Sequence, residues 1–255
     1  MKTILCMKWG TQYGPDFVNQ LYNGVHKNLK DDFRFICLTD DKIGLHPGIE
    51  ALPLPNIQLG DAKLMSGWRK ISSLSPQLTQ APYNINGTIM FFDIDMIITD
   101  SLDDFWTFEQ GEFCIIENWT QKGRGIGNSS VYRYELEDMH DIFHDFENRY
   151  EEIYQEYDNE QMYLTASVAK KQDVKWWPDD WCKSFKIHCM PPRLLRGILT
   201  PKMPENCKIL VFHGPPKPTD AAIGKWVKHN GQKRMMRPAS WITKLWNPDI
   251  SPQEK

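Results

Sequence analysis

Short apolar runs, each ending in a polar or glycine-rich cluster, set the rhythm of this chain. Thr3-Ile4-Leu5-Cys6-Met7 predicts a first buried strand, and Lys8 to Pro15 follows as a glycine-punctuated loop. Phe17, Leu21, Val25 and Leu29 recur at helical spacing, with Asp16 placed as a cap. Phe33 to Leu38 predicts a second strand that ends in Thr39-Asp40-Asp41. Strand, helix, strand at this spacing is a βαβ unit, so a parallel sheet is expected. The most informative run is Gly87 to Ile98, where an apolar strand climbs to Asp93-Ile94-Asp95 before the apolar pattern resumes.

Between these landmarks, residues 42–60 predict loop with a brief strand, and Gly67-Trp68-Arg69-Lys70-Ile71 opens a helix ending near Leu74 or Leu78. Arg69 and Lys70 suit either a phosphate or a solvated basic face. Ser101 reads as the cap of a short helix, and Phe113 to Ile116 as a strand. Gly123 to Ser130 is expected to be a flexible glycine stretch leading to Val131-Tyr132-Arg133-Tyr134. Residues 135–157 carry Met139, Phe143, Phe146, Tyr150 and Ile153 at helical spacing, with an acidic face in solvent. A further helix begins at Asn159-Glu160-Gln161 and runs to about Lys170. Residues 173–192 are rich in tryptophan and aspartate, which suits an acceptor cleft and a buried aromatic loop equally. Ile209 to Phe212 is the last strand, ending in His213-Gly214-Pro215-Pro216-Lys217-Pro218.

Composition narrows the class. A formal net charge of −3 over 255 residues argues against a general nucleic-acid binder, and no nucleic-acid partner is expected. The six cysteines form no C-x-x-C pair and read as reduced core residues. No secretory leader or membrane-spanning run is evident, so a cytoplasmic protein is expected. From Gly224 to Trp246 the chain is basic, without an acidic residue, and carries Trp226, Trp241 and Trp246. That segment suits peripheral contact with the inner, anionic membrane face, or tryptophans packed on the core with lysines left in water. The expected organisation is a catalytic domain over residues 1–220 and a C-terminal segment over 221–255.

The candidate chemistry begins with Asp93 and Asp95. Burying an unpaired carboxylate costs several kcal/mol, so two at a strand end point to a ligand or cation. Divalent ions take hard oxygen ligands, and a diphosphate supplies more of them. Ligands in parallel sheets bind at the carboxyl ends of strands. Three such ends carry Lys8 to Tyr13, Thr39 to Asp41, and Asp93 with Asp95.

Taken in order, the first strand and loop, Asp93-Ile94-Asp95, Asn159-Glu160-Gln161 and His213 to Pro218 give a resemblance. The chain resembles the nucleotide-diphospho-sugar transferases of the glycosyltransferase A-type fold, in particular the glycogenin and bacterial lipooligosaccharide galactosyltransferase group. The implied fold is a single Rossmann-like, mostly parallel α/β sheet flanked by helices. The implied activity is metal-dependent hexosyl transfer from a UDP-sugar to a glycan, lipid-linked or protein acceptor, with retained anomeric configuration. The resemblance makes Asp93, Asp95 and His213 ligands of Mn²⁺ or Mg²⁺. It places Lys8, Thr11, Tyr13, Asp40, Lys70, Asp93, Asn128 and Lys217 on the nucleotide sugar. Glu160 and Gln161 fall near the reacting carbon. Three departures mark this chain: Gly127 precedes Asn128, the acid of the acid–Gln pair is Glu160, and Gly214 directly follows His213.

Two other readings compete. Phe91-Phe92-Asp93-Ile94-Asp95 resembles the first motif of haloacid-dehalogenase-type phosphohydrolases, with Asp93 as nucleophile. That motif opens its domain, whereas here a βαβ unit precedes it. A non-catalytic nucleotide-sugar-binding protein would use the same site without turnover. An inverting transferase would need a carboxylate base, for which Asp179 and Asp180 are candidates.

Overall fold

A computed structural model describes residues 1–228 and 230–246. Its strands in chain order are β1 (Lys2–Lys8), β2 (Phe33–Thr39), β3 (Glu50–Leu52), β4 (Thr88–Phe92), β5 (Met96–Ile98), β6 (Cys114–Glu117), β7 (Gly127–Glu135), β8 (Lys175–Trp176), β9 (Cys182–Ser184) and β10 (Ile209–Val211). The α-helices are α1 (Pro15–Asn28), α2 (Asp104–Thr107), α3 (His140–Glu156), α4 (Glu160–Ala169) and α5 (Pro218–Ala222). The chain divides into two compact units. One comprises Met1–Pro15, Asp31–Asp93 and Thr107–Trp177; the other comprises Asp16–Lys30, Ile94–Trp106 and Pro178–Lys255, of which His229 and residues 247–255 are outside the described residues.

The first unit is built on a seven-stranded sheet in the order β3-β2-β1-β4-β7-β6-β8. All neighbours run parallel except β7, which is antiparallel to both β4 and β6. β1 and β2 are continuous apolar runs because a strand of a covered parallel sheet buries both faces. Trp68, Phe146 and Tyr163 pack together under the sheet, and Leu5, Phe91, Ile115 and Tyr132 join the same core. The acidic face of α3 is in solvent, where Arg149 pairs with Asp145 and Glu152.

Two local expectations are corrected, and a third is refined. Helix α1 begins at Pro15, with Asp16 in its first turn instead of capping it, because proline's fixed φ suits the first helical position. The helix expected to open at Gly67 ends at Leu74 and is of the 3-10 type. Ser72 Oγ donates to the Arg69 carbonyl at 2.8 Å, and Ser75 is held extended before Pro76. Residues 127–130, expected as part of a flexible stretch, are the buried start of β7.

The second unit holds a smaller sheet in which β10 pairs antiparallel with β5 and parallel with β9. Gly24 lets α1 approach β5 closely: a Cβ there would stand 3.3 Å from Ile98 Cβ. Phe185 and Phe212 stack at 4.7 Å, and Leu210, Ala221, Trp226 and Ile242 complete the core. Trp241 and Trp246 pack against it; Trp241 Nε1 donates to the Pro201 carbonyl at 2.9 Å and Trp246 meets Phe17 edge-on. All six cysteines are buried and free, as their sequence context implies.

Candidate active site

In the large sheet, strand order reverses between β1 and β4, and such a switch point opens a crevice at the strand carboxyl ends. β2, β1 and β4 are neighbours, so their polar ends converge. The Gly10 amide donates to Asp40 Oδ2 at 2.9 Å, and Lys8 Nζ donates to the Asp41 carbonyl at 3.3 Å. Gly10 adopts a positive φ of 61°, which only glycine accepts without strain. Lys8 is buried, Tyr13 half-buried and Thr11 exposed on the same loop.

Asp93 leaves β4 with its amide donating to the Ser130 carbonyl at 2.9 Å. Its carboxylate is held by Lys70, whose Nζ lies 2.7 Å from Oδ1 and 2.8 Å from Oδ2. Lys70 Nζ also stands 3.3 Å from Ser129 Oγ and 3.7 Å from Glu160 Oε1. Ser129 Oγ donates to Glu160 Oε1 at 3.0 Å. Gln161 Oε1 accepts from Asn128 Nδ2 at 3.3 Å and from the Ser129 amide at 3.4 Å. Lys70, Asp93, Asn128, Glu160 and Gln161 therefore form one connected cluster, with one cation between two carboxylates.

Local sequence explains the placement. Asn159 caps α4, its Oδ1 accepting from the Met162 amide at 3.1 Å, so Glu160 and Gln161 open the helix. Gly127 brings the start of β7 against this helix, because its amide reaches Thr165 Oγ1 at 3.1 Å. The β6–β7 register then shifts between Ile115 and Ile116, and this bulge carries Ser129 into the cluster. Ser129 was not foreseen as a site residue. Its only signal was its position next to Asn128, inside a stretch that reads as loop.

Gly67 has a parallel role. A Cβ there would meet Glu160 Oε2 at 2.9 Å, the mobile end of a side chain. We expect Gly67→Ala to leave the thermal midpoint nearly unchanged while displacing the Glu160 carboxylate. Catalytic turnover should fall by about tenfold, the scale of a 1.4 kcal/mol loss of transition-state stabilisation. Steady-state kinetics beside a melting curve checks both halves.

The second unit carries the remaining candidates. Asp95 and His213 occupy adjacent strand ends, and the Phe212 amide donates to the Asp95 carbonyl at 3.1 Å. Burial pushes the His213 imidazole down to about 4, with Lys186 and His188 adding to the shift, so it is neutral near pH 7. Its Nε2 lies 2.7 Å from Ser184 Oγ. Lys186 Nζ donates to the His213 carbonyl, and burial lowers its pKa while Asp95 opposes that shift. Lys217 precedes α5 and places its ammonium 5.4 Å from the Phe17 ring centroid. A neutral imidazole with a carboxylate is a donor set that suits Mn²⁺ better than Mg²⁺. Among the described residues, no three His, Cys, Asp or Glu side chains stand close enough together to hold an ion as they are.

The large mixed sheet with its one reversed strand, β7, at the fifth position has the glycosyltransferase A-type fold. The galactosyltransferase LgtC, in complex with donor and acceptor sugar analogs, superposes with a TM-score of 0.61 at 14% identity, covering 99% of this chain and 98% of that one. A structure of an active-site mutant of LgtC gives 0.57 at 14% identity, covering 85% and 89%. The glycosyltransferase GlyE of Streptococcus pneumoniae TIGR4 gives 0.57 at 13% identity, covering 86% of this chain and 56% of its own. No protein-family model and no curated protein matches the sequence itself.

Proposed function

We propose that this protein is a retaining glycosyltransferase that moves a hexose from a UDP-sugar to a glycan, lipid-linked or protein acceptor. The observation that carries the reading is the Lys70–Asp93–Ser129–Glu160 cluster, set beside Gln161 at the carboxyl edge of a glycosyltransferase A-type sheet. LgtC, a structural neighbour, binds donor and acceptor sugar analogs.

In the proposed reaction the bond from the anomeric carbon to the diphosphate oxygen breaks and a bond to the acceptor oxygen forms. The acceptor proton passes to a diphosphate oxygen, so no separate base is needed. Lys8, Thr11, Tyr13 and Asp40 bind the nucleotide, and the Gly10–Asp40 contact fixes their loop. Lys70 orients Asp93 and Glu160 and offers positive charge to the donor. Asn128 and Gln161 hold one another and present amide groups to the sugar. Glu160, held in place by Lys70 and Ser129, stabilises positive charge at the reacting carbon. Lys217 neutralises the departing diphosphate. Asp93, Asp95 and His213 would hold Mn²⁺ or Mg²⁺, which when bound supplies Lewis-acid stabilisation of the leaving group.

Calorimetric titration with a panel of nucleotides, with and without Mn²⁺, tests the proposal. We expect UDP to bind at about micromolar Kd with Mn²⁺ present, within the usual range for enzyme substrates. Absence of nucleotide binding under every metal condition would overturn it.

Trp226, Trp241 and Trp246 pack on the core of the second unit. No helix of the described residues is long and apolar enough to cross a bilayer. Peripheral membrane contact would therefore rest on the tail's lysines and arginines. Each contributes only ~1 kcal/mol near an anionic surface. Binding to phosphatidylserine vesicles should be measurable at low salt and vanish near 0.5 M salt, roughly where screening falls below 5 Å. Retention at high salt, followed by sedimentation, would contradict this.

A further inference from the structure

The 3-10 helix at 67–74 is eight residues long, and such runs beyond three or four residues are uncommon because their hydrogen bonds are poorly aligned. Contacts from outside the helix must therefore select it. No side chain caps its N-terminus at Ser66. At the other end, the Ser73 carbonyl would accept from the amide of residue 76, but Pro76 has no N–H to give. Tyr134 supplies the missing donor: its hydroxyl donates to the Ser73 carbonyl at 2.6 Å. The Ser73 hydroxyl is also buried and lies 2.9 Å from the Tyr132 hydroxyl. Both oxygens of Ser73 are thus met from one strand, β7.

Side chains at i and i+3 eclipse in a 3-10 helix, so three ridges run along this one. Trp68, Ile71 and Leu74 form the ridge buried in the core, and Arg69 and Ser72 form the second. The third holds Lys70 and Ser73, one turn apart. β7 therefore grips this ridge at Ser73 and meets it again at Lys70, whose Nζ stands 3.3 Å from Ser129 Oγ. Phe91 joins the two contacts: its ring stacks on Tyr132 at 4.7 Å and has the Lys70 ammonium 6.0 Å from its centroid. Burial raises the pKa of both tyrosines, with Tyr134, Asp93 and Glu160 adding to the shift of Tyr132, so both hydroxyls stay protonated near pH 7. If the last turn relaxed to α-helical pitch, Lys70 would rotate by about 60° relative to Ser73, since each of the three steps turns ~100° instead of ~120°. That rotation would swing its ammonium away from the carboxylates.

We propose that Tyr132 and Tyr134 are positioning residues: by holding Ser73 they keep segment 67–74 at 3-10 pitch, and so aim Lys70 at Asp93 and Glu160. The two tyrosines act through the helix. The placement of Lys70 stands on the geometry of the first unit alone, whereas its consequence for catalysis rests on the transferase proposal. Replacing either tyrosine by phenylalanine removes the hydroxyl and keeps the ring, so the stack on Phe91 survives.

The test uses the full-length protein with Tyr132→Phe, Tyr134→Phe and, as a control, Tyr163→Phe. Tyr163 lies in the same core but donates its hydroxyl to the Ile142 carbonyl of α3, at 2.7 Å, and not to segment 67–74. The readout is the Lys70 ammonium in proton–nitrogen NMR spectra, assigned by its disappearance in Lys70→Met. An ammonium locked between carboxylates exchanges its protons with water slowly. Tyr134→Phe should speed that exchange by about tenfold, the scale of one lost hydrogen bond. Tyr132→Phe should speed it in the same direction. Tyr163→Phe should lower the melting temperature by a similar amount and leave the Lys70 signal as it is. Catalytic turnover should fall with the Lys70 signal in Tyr134→Phe and hold in Tyr163→Phe. A Lys70 signal unchanged in both Tyr132→Phe and Tyr134→Phe would overturn the inference. So would an equal change in Tyr163→Phe, which would mark general loosening of the core. Faster exchange in a protein without any turnover keeps the positioning role and removes the transferase. Turnover lost while the Lys70 signal holds keeps the transferase and removes the positioning role.

Discussion

Lys70→Met should lower turnover of a UDP-sugar by at least ~100-fold, the usual scale for removing one preorganised charge-stabilising donor. Lys70 bridges both oxygens of Asp93, at 2.7 and 2.8 Å, and reaches Glu160 at 3.7 Å. Its side chain is 14% exposed, against 19% for Asp93 and 13% for Glu160, so water replaces it poorly. Without it, two half-buried carboxylates face one another without a cation. Removing one partner of a fully buried pair costs about 3–5 kcal/mol, and the residual exposure here reduces that to ~2 kcal/mol. A chain of this length would then melt roughly 4–8 °C lower. The two effects separate by assaying well below the melting temperature of the variant. Lys70→Arg should not restore activity, because a planar guanidinium does not reproduce a compact ammonium between three oxygens. Unchanged turnover in folded Lys70→Met would remove the cluster from the mechanism.

The second large effect is expected at Asp95 and His213. Asp95→Ala and His213→Ala should each weaken Mn²⁺-dependent binding of UDP by ~100-fold or more, the upper end of losses seen when only a supporting residue of a metal site is changed. The readouts are Mn²⁺ binding by electron paramagnetic resonance and UDP binding by calorimetry, neither of which needs turnover. Asp95 is 9% exposed and attracts the Lys186 ammonium, so its removal also strips that lysine of an opposing charge. Lys186→Gln provides the contrast: with the competing cation gone and both ligands intact, Mn²⁺ should bind more tightly than in the unaltered protein. If both ligand variants retain full metal-dependent binding, the assignment of Asp95 and His213 is wrong.

The site separates into a legible part and a hidden part. Lys8, Asp40 and Asp93 were legible because strand ends in a parallel sheet are marked locally, by a polar residue after an apolar run. Glu160 and Gln161 were legible because Asn159 is a helix cap, and a cap identifies the helix start from its own few residues. Ser129 and Lys186 were hidden, since their roles come from partners 31 and 27 residues away in the chain.

The sequence by itself determined the apolar runs of β1, β2 and β4, the βαβ opening, the strand-end aspartates and the helix beginning at Asn159. These depend on patterns spanning a few residues, where burial and capping leave a direct trace. Only the tertiary structure decided that β7 runs antiparallel between β4 and β6 and begins at Gly127. It alone placed β5 beside β10 in a separate small sheet. The same holds for the tail, whose tryptophans fit a membrane surface and a core equally well as sequence. Strand partners and the burial of an aromatic ring are set by which distant surfaces remain to be covered, and that choice is a property of the assembled chain.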